Sequence, residues 1–132
     1  HEELNIYIKR KSFMNLSYTS VDLNEALSKQ PRFVILDCSS TPLLQVLASY
    51  SGPIFLLLSQ PPLVKIEALQ LLKRRVMISK SVDELKSQLK LFTEVGKLKE
   101  VNLMDNAFID VYCKPFNYSI YEKFINEAIK AY

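Results

Sequence analysis

Apolar residues alternate with polar ones at the start of the chain. "LNIYIKR" sets Ile6 and Ile8 against Asn5 and Tyr7, a strand pattern, and "NLSYTS" reads as a second strand close enough for a hairpin. The pattern then lengthens to helical spacing. In "VDLNEALSKQ", Leu23, Ala26 and Leu27 make one apolar face, Asp22 with Glu25 resembles a capping box, and Pro31 ends the segment. "RFVILD" follows as a continuous apolar run, as expected of a strand covered on both faces. "TPLLQVLASY" is helical with Pro42 in its first turn, and Ser51-Gly52-Pro53 is a turn. "IFLLLS" is the second apolar strand.

The second half repeats the alternation. "PPLVKIEALQLLKRR" is a helix with Leu63, Ile66 and Leu69 on one side and Lys73, Arg74 and Arg75 at its C-terminal end, where the macrodipole favours cations. "VMIS" is a third short strand. "SVDELKSQLKLF" is a helix capped by Ser81 with Glu84, and Gly96 interrupts it. "KEVNLMDNAFIDVYC" is expected to supply one or two strands joining the sheet. A last helix, capped by Ser119 with Glu122, carries Phe124, Ile125, Ala128 and Ile129 on one face. Strands alternating with helices predict an α/β fold: a mostly parallel central sheet with helices on both faces, and a possible extra hairpin at the start. One domain over residues 1–132 is expected, with 97–132 as a possible strand–helix extension.

Composition narrows the function classes. Two glycines, Gly52 and Gly96, are too few for a glycine-rich phosphate loop or a dinucleotide fingerprint. The net charge of +3 permits a basic patch without requiring nucleic acid. Cys38 and Cys113 lie far apart beside apolar runs and read as free buried thiols. No apolar run is long enough for a membrane span. Asn15 and Asn117 head glycosylation triplets, a common chance match. His1 reads as a tag remnant and no signal peptide is visible, so a cytoplasmic location is expected.

In parallel sheets, function sits at the carboxyl ends of the strands. Asp37, Ser59 and Lys80 all fall there. "SVDLNEALSKQPRFVILD" resembles the stretch of response-regulator receiver domains that leads into the phosphoacceptor strand, with Asp37 as acceptor. "GPIFLLLS" resembles the next strand, ending in the hydroxyl residue, here Ser59. "VMISKSVDELKSQL" resembles the last strand, its lysine, here Lys80, and the closing helix. "IDVYCKPFNYSIYEKFINEAI" resembles that same last strand and Lys-Pro pair, which makes Lys114 a rival for the lysine role. The resemblance implies a receiver/flavodoxin-like three-layer sandwich in which a carboxylate accepts a phosphoryl group, a hydroxyl bonds it and an ammonium neutralises it.

The chain departs from the family where the metal is held. Receivers place an acidic pair after the first strand; here "IKRKS" supplies Lys9, Arg10 and Lys11. The interval from Asp37 to Ser59 is also short for a receiver. The resemblance therefore implies a pseudo-receiver: no enzyme, no cofactor, no bound metal, and a protein partner, either a signalling protein or other domains of a larger chain. STAS domains of anti-sigma-factor antagonists are a weaker likeness, through "FVILD" and the nearby Ser39 and Ser40, but their Asp-Ser-Ser-Gly pattern is missing. Plainer readings stand beside these: Asp37 as a strand-ending or capping residue, Ser59 as an N-cap, Lys80 and Lys114 as solvated. Two other functions stay open. Lys9, Arg10 and Lys11 with Lys73, Arg74 and Arg75 make a candidate basic surface for nucleic acid, or the chain is an enzyme fragment whose site lies elsewhere.

Overall fold

The structure, a computed structural model, describes residues 15–58, 65–112 and 125–130, together with Ile6. Its elements run α1 (Leu23–Ser28), β1 (Val34–Leu36), α2 (Thr41–Ser49), β2 (Ile54–Leu57), α3 (Ile66–Lys73), β3 (Met77–Ser79), α4 (Val82–Val95) and α5 (Ala107–Tyr112). The three strands form a parallel sheet in the order β1-β2-β3. Val34 pairs with Ile54, Leu36 with Leu56, Phe55 with Met77 and Leu57 with Ser79. The apolar runs "FVIL" and "IFLL" are thus adjacent parallel strands, as expected of strands joined by a helical crossover.

The pleat sends alternate side chains to opposite faces, and each face has its own helices. Val34, Leu36, Ile54, Leu56 and Ile78 pack with Leu27 of α1, Leu43, Val46 and Leu47 of α2, Ala68 and Leu72 of α3, and Phe108 of α5. On the other face Phe55 and Met77 meet Leu85, Leu89 and Phe92 of α4. Both β-to-β crossovers step the same way across the sheet, and their helices share one face, as uniform crossover handedness requires. Phe33, Phe55 and Phe92 close the second face with ring centroids 5.7–5.9 Å apart, edge-to-face in two of the three pairs. The Arg32 guanidinium lies 5.3 Å from the Phe92 ring centre.

Local chemistry sets the helix ends. The Asp22 carboxylate accepts the Asn24 N–H at the start of α1. Ser81 Oγ accepts the Glu84 N–H, while Glu84 reaches back to the Lys80 N–H at 2.7 Å. Gly96 ends α4 at φ 72°, a left-handed conformation in which any side chain is strained.

Several expectations are corrected. "NLSYTS" has no strand, so the N-terminal hairpin lacks its second arm; its first arm lies outside the described residues save Ile6, which is helical. "AFIDVY" is helix α5 rather than a strand of the sheet. Asp105 Oδ1 accepts the Ala107 N–H, and the Asp110 N–H reaches Asn106 O, so the Asp-Asn pair starts a helix where a hairpin turn was expected. The short run Phe108-Ile109-Asp110-Val111-Tyr112 fits either period, and packing against α3 decides it. Among the described residues β1 is an edge strand, covered on one face only in part: Ile35 is 46% exposed. Ile66 points to solvent, and α3 buries Ala68 and Leu72 instead. Residues 125–130 are helical as expected, yet Ile125 and Ile129 are exposed rather than packed over the sheet.

Candidate functional site

The carboxyl end of the sheet carries two of the expected residues. Asp37 directly follows β1 and Lys80 directly follows β3, and both are exposed. They do not touch. The two strands flank β2, and axes two strands apart are separated by roughly 9–10 Å. The one ion pair among the described residues is that of Arg74 with Asp105. Ser59 and Lys114 lie outside the described residues, as do Lys9, Arg10 and Lys11. Beside Asp37, Cys38 Sγ and Ser40 Oγ are 3.2 Å apart. Ser40 is the N-cap of α2, but its side chain makes no capping hydrogen bond there. Among the described residues no three His, Cys, Asp or Glu side chains gather as a metal site would need.

The opposite end of the sheet holds a residue whose role the pattern did not suggest. Arg75, third in the basic run, is 2% exposed. Its Nη2 donates to the carbonyls of Tyr50 and Gly52, each at 3.0 Å, while Nη1 is buried without a hydrogen-bond partner. The Tyr50 hydroxyl donates to Pro31 O at 2.7 Å. Gly52 lies so close under the Tyr50 ring that a Cβ there would collide with it. Arg75 thus leaves Lys73 and Arg74 as the surface cations of their run, and it ties the approach to β3 to the turn before β2. Burial pushes the Arg75 guanidinium down from its ordinary value, with Tyr50 opposing, and it pushes the Tyr50 phenol up, with Arg75 opposing. The Lys73-Arg74-Arg75 run signals a solvated helix end; only the burial of Val76 and Met77 next to it hints that the chain dives inward there.

A groove runs along the outer side of β3. It has a volume of about 420 Å³ over Val76, Met77 and Ile78, bounded by Lys73, Arg74, Lys99 and Glu100. A smaller hollow of about 190 Å³ continues it past Gln88 to Leu91 and Lys97. Met77, Glu84, Gln88 and Lys99 line both. Gln88 is fixed from two sides, accepting the Ser79 hydroxyl at 2.8 Å and donating to Ile78 O at 3.4 Å. Its part in organising this wall has no sequence signature beyond its helical position.

Set against family models, curated proteins and solved structures, the chain matches none of them.

Proposed function

We propose that this chain is a non-catalytic regulatory interaction domain of pseudo-receiver type. The observation that carries the reading is the order of the strands. The three segments that resemble the acceptor strand, the hydroxyl strand and the lysine strand are β1, β2 and β3, parallel and side by side in that sequence. Helices α2 and α3 lie against one face and α4 against the other, which is compatible with a receiver-like three-layer sandwich. Asp37 and Lys80 emerge at the same carboxyl end of that sheet, on strands either side of β2.

Phosphoryl transfer to a carboxylate needs charge neutralisation at the transferring group. The segment that would supply the acidic pair reads "IKRKS", and its cations oppose magnesium. A site that has the frame without the metal ligands suits a domain that works by binding a partner. The nucleic-acid reading is weakened because Arg75 is internal and unavailable to a phosphate backbone.

The test is incubation with magnesium and a small phosphodonor, then intact-mass measurement of wild type and Asp37→Asn. The expected result is no stable mass gain in either protein. Gain of one phosphoryl group by the wild type alone would overturn the proposal and make the domain a working receiver.

A further inference from the structure

We infer that the groove along β3 is a docking site for an acidic, partly apolar peptide segment of a partner protein. The inference rests on the interaction-domain reading above and gives that reading a surface and a partner chemistry. Its first support is the floor. Among the described residues β3 is an edge strand of the sheet. Ser79 O accepts the Leu58 N–H, so its neighbour Ile78 turns its own N–H and C=O away from β2, toward the groove. Gln88 holds that carbonyl at 3.4 Å. Val76 and Met77, 1% and 3% exposed, back the floor from within the core, and half-buried Ile78, with Leu91, 37% exposed, and Val101, gives it its accessible apolar surface.

The rim gives the second support. Lys73 and Arg74 stand at the α3 side, and Lys97 and Lys99 stand on the segment after α4. Among the described residues Lys73, Lys97 and Lys99 form no ion pair, while Arg74 is held by Asp105 at 2.7 Å. Two carboxylates also line the groove, Glu84 and Glu100, and one oxygen of Glu84 accepts the Lys80 N–H. The groove therefore offers, on both sides of an apolar strip, ammonium groups that form no ion pair among the described residues. An extended chain that alternates carboxylates with aliphatic side chains matches both features.

A nucleic-acid strand fits less well. Among the described residues no aromatic side chain lines either part of the groove as a platform on which bases could stack.

The experiment is amide chemical-shift mapping on the whole chain. The probe is a short synthetic peptide alternating Glu with Val; its Gln-for-Glu counterpart and a single-stranded oligonucleotide are the controls. Salt-sensitive shifts confined to Met77, Ile78, Gln88, Lys97 and Lys99 are expected with the acidic peptide. Lys97→Glu with Lys99→Glu should weaken that binding at least about tenfold, and Lys73→Glu alone should weaken it by less; all three positions are exposed, so folding should be unaffected. Absence of binding, equal shifts from the Gln peptide, or stronger shifts of the same amides by the oligonucleotide would overturn the inference. Shifts centred on Asp37, Cys38 and Lys80 would overturn the groove and leave the interaction-domain reading standing. A phosphorylated Asp37 beside an intact groove response would do the reverse.

Discussion

Arg75 is where a single side chain does most to join parts of this fold. A buried guanidinium with one nitrogen unsatisfied is expensive, and the fold recovers the expense through two carbonyl contacts that would otherwise be orphaned turn oxygens. Arg75→Ala should therefore destabilise by roughly 2–4 kcal/mol in urea unfolding, because it leaves the Tyr50 and Gly52 carbonyls unpaired and opens a cavity. Arg75→Met, which keeps the stem and removes the buried charge, should cost less than the alanine; an equal or larger loss would show that the charge itself is stabilising. Tyr50 adds a pH dependence. Burial raises its native pKa above the ordinary phenol value of about 10, so the folded state holds the proton more tightly than the unfolded state. Its stabilising contribution is complete below about pH 10 and is lost as pH rises through the raised native value. Arg75, shifted down, slopes the other way, so the comparison must isolate the tyrosine. Wild type should lose more stability than Tyr50→Phe between about pH 9 and 11, and parallel curves would refute the assignment. None of this could be read from "KRR", because burial of an arginine is decided by the turn of the chain into β3 and by carbonyls more than twenty positions away.

At the scale of elements, the chain's local signals agree with its structure wherever they are reinforced by burial or capping. "IFLL" became the central strand because it is apolar at every position and both of its faces are covered: Ile54, Phe55 and Leu56 are each 0% exposed. Leu56→Ala should cost ~2–5 kcal/mol, measured by denaturant unfolding, and a loss under ~1 kcal/mol would mean that the central strand relaxes around the gap. Gly96 offers a cleaner test of backbone chemistry. No atom lies within 4 Å of where its Cβ would be, so Gly96→Ala meets no steric contact and should lose about 1 kcal/mol from the positive φ alone. Legibility failed at elements too short to declare a period. "NLSYTS" alternates like a strand but has no partner among the described residues. "AFIDVY" has strand-forming residues but is fixed as helix by an Asx contact at its start and by α3 along its side. For the candidate site the same limit holds. The strand ends at Asp37 and Lys80 were legible, since a strand's end follows from where its apolar run stops. The groove beside β3 was not, since it is assembled from α3, α4 and the segment after α4, which no local pattern connects.

For the whole molecule, the open question is whether the segment after Gly96 belongs to the folding unit. Its contacts reach both faces of the sheet. From Gly96 the chain crosses to α3, where the Asn102 N–H donates to Arg74 O at 2.9 Å and Asp105 pairs with the Arg74 guanidinium at 2.7 Å. α5 then lies on α3 and adds Phe108, 6% exposed, to the core cluster that α1, α2 and α3 build with the sheet. Leu98 and Val101 meanwhile pack against Phe55 and Met77 on the other face, so this one segment contributes to both halves of the core. The ion pair alone would count for little, because the Arg74 side chain is 58% exposed. The apolar insertion is what should matter. Phe108→Ala is expected to cost ~3–5 kcal/mol, a large share of the stability of a domain this size, whereas Met104→Ala, 79% exposed, should stay within about 0.5 kcal/mol. A fragment ending at Gly96 should go further than either variant. Loss of Phe108 uncovers Ala68 and Leu72, and loss of Leu98 and Val101 uncovers Met77 at the edge of the sheet. The fragment should therefore elute as aggregate in size-exclusion chromatography and lose its cooperative melting transition. A monomeric 1–96 fragment that melts cooperatively near the temperature of the full chain would show that α1 to α4 fold without help and that residues 97–112 are an attachment to a finished domain.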